Sequence, residues 1–489
     1  MQTWIAPGYT KNNTVATAPL SPSLSYKLFM AKNEKESCVI SIRNDADLNG
    51  LTIEATGPFN AEFLLEYPIP IRDTDWPDPI VPITGSFDVK ANVTTSILVR
   101  YSTDENTAAG DYDTVVTLKQ NGTIIATYDV KVRVWNFCYP TTPSCESAIG
   151  LTREHIAKIH GIEPESDEAY SLYKKYYDTL LSYKINPAYL PYDILDPRAD
   201  EYMNDPRITC FQLDHTKDDE TLKAYYAKLS TKEEWLKKSY FYPFDEPITH
   251  EHMETIKAQA ARLDKVCPIH RCVPFYKNTQ YDETLDEVEF LSKYIDIFCP
   301  KSYCWKDSNI YSEFQKANYP SFYDRMKAFK EAGNRIWWYV CWEPGDPYCN
   351  VYVDEVGVNH RVLFWQQYMY GAEGFLYWAA TWWLRTDDPW TDMATVKDLS
   401  YDVFGDGSLL YNGNKVGIDG AVASIRTETI RDGIEDFELL KIASNVMGEE
   451  WVIGKINEVT TDLITHSKDA ELFDRVRAEI GNAVSEKLS

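Results

Sequence analysis

The stretch Ser239-Tyr240-Phe241-Tyr242-Pro243-Phe244-Asp245-Glu246-Pro247 decides how the chain is read. It opens as the apolar, aromatic run that a buried parallel strand needs, and it stops at a proline, which cannot donate to a strand ladder. The two residues before that proline are carboxylic acids. Neighbouring side chains on a regular strand point to opposite faces, so Asp245 and Glu246 can reach one pocket only where the strand is ending.

Seven more segments of this kind occupy 144–151, 185–192, 208–213, 269–275, 295–303, 335–343 and 371–383. Between them, residues 167–182, 218–237, 249–266, 285–294, 321–332 and 354–370 carry amphipathic helical patterns. Eight such units predict a closed (β/α)8 TIM-type barrel, followed by C-terminal helices over about 430–489. An open doubly wound sheet ranks second, because it would usually announce itself by a Gly-rich phosphate loop after its first strand, and none is present. Upstream, short alternating runs at 37–42, 96–101, 114–119 and 124–135 are separated by Gly, Asn, Asp and Pro turns, which predicts a β-sandwich. The segment Tyr139-Pro140-Thr141-Thr142-Pro143 interrupts that pattern. The expected organisation is therefore a β-sandwich domain over 1–140 and a catalytic domain over 141–489 that includes the C-terminal helices.

A net charge of −26 argues against nucleic acid as a partner and disfavours anionic membranes. No apolar run approaches the roughly 20 residues of a membrane span. Ten cysteines are too sparse for a disulfide scaffold and match no zinc spacing. In His250-Glu251-His252 the imidazoles stand at i and i+2 and diverge on a helix, so neither a metal nor another cofactor is expected. The first residues lack signal-peptide character, which fits either a cytoplasmic chain as written or the mature form of a secreted or periplasmic one. Nothing in the sequence speaks to the oligomeric state.

Barrel enzymes carry their reactive groups at the carboxyl ends of the strands. Two carboxyls as close as Asp245 and Glu246 disfavour double ionisation, which leaves one a proton donor beside an anion. The structural alternative is that Asp245 caps the helix after Pro247 and Glu246 is solvated. Glu343, at the end of the seventh segment, is placed like the nucleophile of an ordinary retaining glycosidase; a solvated or Arg-paired carboxylate is its other reading.

The stretch Phe241–Pro247 does not stand alone. Val134-Trp135-Asn136-Phe137-Cys138-Tyr139-Pro140, Trp337-Trp338-Tyr339-Val340-Cys341, and Ser424-Ile425-Arg426 with Arg431-Asp432-Gly433-Ile434-Glu435-Asp436-Phe437-Glu438 follow the same order, and together they resemble glycoside hydrolase family 123. The likeness covers most of the chain. It implies a β-sandwich followed by a (β/α)8-type domain, and a metal-free β-N-acetylgalactosaminidase acting on a glycan or glycoconjugate. In the implied mechanism the substrate's acetamido oxygen attacks the anomeric carbon, Asp245 stabilises the oxazolinium, and Glu246 protonates the leaving group and later activates water.

An enzyme that needs the acetamido group must hold it, so an aromatic box and a hydroxyl donor are expected around it. Tyr303 is the candidate donor, and Trp338 and Trp378 are candidate walls, although core packing explains a tryptophan at a strand end equally well. Arg431 stands at i to Glu435 at i+4, which favours a structural pair over direct sugar contact. Two rival functions remain: a two-carboxylate retaining β-glycosidase using Glu246 and Glu343, and a non-catalytic carbohydrate-binding protein.

Overall fold

The computed structural model describes residues 1–277, 285–396 and 403–489. The N-terminal region consists of two five-stranded sheets. The four predicted runs lie inside the strands Lys35–Arg43, Thr95–Ser102, Gly110–Gln120 and Thr123–Cys138. Their alternation sends Ile40, Ile97 and Val99 of one sheet against Val116, Val130 and Val132 of the other, which forms one buried core.

After Tyr139–Pro143, seven strands form one parallel sheet: Glu146–Ile149, Phe211–Leu213, Ser239–Phe241, His270–Phe275, Ile297–Pro300, Arg335–Val340 and Gly374–Tyr377. The first pairs with the last, so the sheet curls into a nearly closed barrel. The eight-stranded expectation needs correcting at its second unit, since 185–192 forms no strand and touches Glu146–Ile149 through a single bridge, Ile149 to Pro187. Pro187 and Pro191 supply no N–H, so a ladder cannot run through them. The gap is spanned instead by hydrogen bonds: Ile149 N donates to Asn186 O at 3.0 Å, Ala188 N to Ile149 O at 2.8 Å and Gln212 N to Ala188 O at 2.7 Å.

Helices cover the barrel's outer face. The predicted helix at 167–182 is Asp167–Ser182, while 218–237 divides into Asp219–Leu229 and Glu233–Lys238. Helix Ile425–Met447 crosses Gly357–Met369 so closely that a Cβ on Gly433 would stand 2.1 Å from the Phe364 ring, a contact only glycine permits. The C-terminal helix Ala470–Lys487 reaches the sandwich, where Trp135 Nε1 donates to Asn482 Oδ1 at 2.9 Å. All ten cysteines are free, nine of them buried, and among the described residues no helix is long and apolar enough to cross a membrane.

Candidate active site

Strand Ser239–Phe241 is only three residues long, and the chain turns immediately after it. The helix that follows, His250–Val266, is capped by Thr249, whose side chain accepts from His252 N; Asp245 is not its cap. Glu246 has φ +44°, in the left-handed region that a residue with a side chain enters at a cost of about 1–3 kcal/mol. That twist takes Asp245 and Glu246 off the strand's alternation.

Asp245 accepts a hydrogen bond from the Tyr242 hydroxyl at 2.8 Å, with part of its side chain open to solvent. Its carboxyl is held above the ordinary aspartate range. Desolvation is the largest cause, the Tyr242 hydroxyl opposes it, the Glu246 charge adds to it, and Lys301 works against it. Glu246 sits deeper, accepting from the Tyr339 hydroxyl and lying 3.6 Å from Lys301 Nζ. The same ammonium is 3.4 Å from Glu343 Oε2, so Glu246 and Glu343 flank one buried cation and lie within about 7 Å of each other.

Tyr303 stands half-buried in the turn Ser302–Trp305 and borders a cleft of about 330 Å³ that Asn309, Glu343, Pro344 and Tyr348 also line. Trp378 follows the last barrel strand with 36% of its surface exposed. Its indole donates to Asp406 Oδ1 at 2.9 Å and lies over Gly407, where a Cβ would come within 2.3 Å of the ring.

Two of the candidate substrate contacts lie away from the site, and for Arg431 the structure shows the favoured pairing with Glu435. Trp338 is fully buried, with its indole donating to Gln367 at 2.8 Å on the helix side of the sheet; the inward residues of that strand are Trp337 and Tyr339. Arg431 is also fully buried, ion-paired to Glu428 at 2.6 Å, Asp432 at 2.5 Å and Glu435 at 3.3 Å, so no substrate reaches it.

The structure therefore gathers Glu246, Glu343 and Tyr303 around Lys301, with Asp245 beside them and Trp378 farther along the rim. Sequence reasoning missed Tyr242, Tyr339, Lys301 and Asp406. The first three lay in segments it had singled out, and inward-outward alternation could have preferred Tyr339 to Trp338. Among the described residues, no three His, Cys, Asp or Glu side chains converge in a way that could hold a metal ion.

Compared with known proteins, residues 191–443 match the model of the glycoside hydrolase 123 catalytic domain. A family 123 glycoside hydrolase from Clostridium perfringens, described for glycolipid glycan hydrolysis, is similar at 13% identity over 99% of this chain and 98% of that one, with a TM-score of 0.71. A family 39 glycoside hydrolase from Bacteroides cellulosilyticus WH2 reaches 11% identity over 83% and 81% of the two chains, with a TM-score of 0.32. No curated protein matches the sequence.

Proposed function

The chain belongs to glycoside hydrolase family 123, and from that premise we propose that it releases terminal β-linked N-acetylhexosamine, N-acetylgalactosamine above all, by retaining, substrate-assisted hydrolysis. The observation that carries this reading is the division of labour available to the adjacent acids: Asp245 on Tyr242 at the solvent side, Glu246 on Tyr339 and Lys301 within. The acetamido oxygen bonds to the anomeric carbon while Glu246 gives its proton to the departing glycosidic oxygen. Asp245, ionised, steadies the oxazolinium N–H. Water then attacks the same carbon, its proton passes to Glu246, and the two inversions restore the original configuration. The enzyme needs no nucleophile of its own, an exception to the usual two-carboxylate arrangement. Tyr303 is the proposed hydroxyl donor and Trp378 the proposed wall. A glycolipid or other glycoconjugate is a fitting substrate, given what the Clostridium relative is described to act on.

The test compares 4-nitrophenyl β-N-acetylgalactosaminide with the plain β-galactoside. Only the first should turn over; equal rates would remove substrate assistance. Glu246→Gln should lower turnover by about 10²–10⁴-fold, the usual contribution of general acid–base catalysis. Because Asp245 must be ionised and its carboxyl is held high, the acidic limb of the pH profile should lie above the ordinary aspartate value of about 3.9.

One observation favours a second reading. Glu246 and Glu343 flank the same cation, which brings their nearest oxygens within about 7 Å, a span that includes the separation of about 5 to 5.5 Å expected of a retaining acid and nucleophile. Glu343→Gln decides it, since loss of all activity would make Glu343 the nucleophile.

A further inference from the structure

Lys301 follows directly on strand Ile297–Pro300, and only 2% of its surface is exposed. A lysine buried this deeply ordinarily gives up its proton, because an ammonium without water is costly. Here the charge is enclosed by compensating groups. Besides the carboxylates of Glu246 at 3.6 Å and Glu343 at 3.4 Å, the rings of Tyr276, Tyr339, Tyr303 and Trp342 lie 4.9, 5.5, 5.6 and 6.0 Å from Nζ. Burial works against the charge, but the Cys341 sulfur, Glu246 and Glu343 outweigh it and hold the ammonium above the ordinary lysine range.

We infer that Lys301 is a positioning residue whose ammonium, shared between Glu246 and Glu343, steadies Glu246 in the carboxylate form it takes after its proton has gone to the glycosidic oxygen. This rests on the role given to Glu246 in the proposed function. In the first step the bond from the anomeric carbon to the leaving oxygen breaks, the bond to the acetamido oxygen forms, and Glu246 becomes an anion. In the second, water replaces the acetamido oxygen and its proton returns to Glu246. A cation with little water to screen it favours the anion between those steps. Glu343 competes for the same cation, and so sets how much of it Glu246 receives.

The sign follows. Without Lys301, Glu246 faces only like charges and holds its proton to higher pH. Without the Glu343 charge, Lys301 serves Glu246 alone, a nearby anion is gone, and the proton leaves at lower pH. The other titratable groups facing the cluster are Asp245 on the same turn, Tyr339 and Cys341 on and after strand Arg335–Val340, Tyr303 and Cys304 in the turn Ser302–Trp305, Tyr276, and Asp406 behind Trp378. Both variants retain all of them.

The experiment measures kcat/KM against pH for wild type, Lys301→Met and Glu343→Gln on 4-nitrophenyl β-N-acetylgalactosaminide. The basic limb, which reads the proton-bearing acid in the free enzyme, should move up in Lys301→Met and down in Glu343→Gln, each by about 1 to 2 pH units. Two static limbs, or two moving the same way, would overturn the inference, as would complete loss of activity in Glu343→Gln. Glu343 is partly exposed, so its variant keeps the test open if Lys301→Met fails to fold. Failure of the underlying reading shows separately, as loss of preference for the acetamido substrate in wild type.

Discussion

Asp406 is fully buried directly behind the exposed Trp378, accepting from that indole at 2.9 Å and from the Tyr377 hydroxyl at 3.2 Å. Burial pushes its carboxyl up to about 6. A carboxyl raised above its unfolded value of about 3.9 stabilises the fold fully below that value, and the contribution is lost as pH rises through about 6. Asp406→Asn keeps an acceptor for Trp378 but does not titrate. Between pH 4 and pH 7, wild type should therefore lose about 2 kcal/mol relative to the variant, read as Tm against pH; parallel curves would refute it. Asp245 and Glu246 were legible because two acids before a proline at a strand end are a local signal. Lys301 was not, because its role arises from rings and carboxylates contributed by several separate segments. Trp338 shows a third situation: its segment was found, but a shift of one residue exchanges the face it presents.

The barrel's second unit shows where element-level reading stops. Residues 185–192 have the apolar character of a buried strand, and periodicity registers that burial without counting donors. What holds the segment is Asn186, fully buried, whose Nδ2 donates to Cys210 O at 2.8 Å and Pro187 O at 3.0 Å while Oδ1 accepts from Thr209 N at 3.1 Å. A side chain thus makes bonds that a ladder would have made. Asn186→Ala strands the Thr209 N–H and two carbonyls in the interior, and the expected cost is about 2–4 kcal/mol in urea unfolding. A cost under about 0.5 kcal/mol would mean that the gap is held by packing alone. Two of the other seven strands also carry a proline, Pro274 and Pro300, but their pairing continues past it. Boundaries ran long wherever an apolar loop extended a strand, as at 371–383, where only Gly374–Tyr377 belongs to the barrel sheet.

At the scale of the molecule, the motif Arg431–Glu438 was noticed for its charges and read partly as a sugar contact, yet it belongs to the joint between sandwich and barrel. Arg477 of the C-terminal helix binds Glu34 of the sandwich and Asp436 of helix Ile425–Met447. Arg361 of Gly357–Met369 binds the same Asp436 at 2.7 Å and Glu36 of the sandwich at 3.3 Å. All five side chains are at most 7% exposed. Such a network adds little over a hydrophobic joint, but removing one member leaves charges buried without a counterion, at a cost of about 3–5 kcal/mol. A contiguous sequence reading cannot see it, because the partners lie from 41 to 443 residues apart. If these pairs couple the two regions, wild type melts in one calorimetric transition. Arg477→Met, which leaves Glu34 without its cation, should then lower that transition and split it as the sandwich releases from the helices. A single transition lowered by no more than a surface substitution would show that the regions are joined by apolar contacts such as those of Trp135, and that the buried charges only fix their orientation.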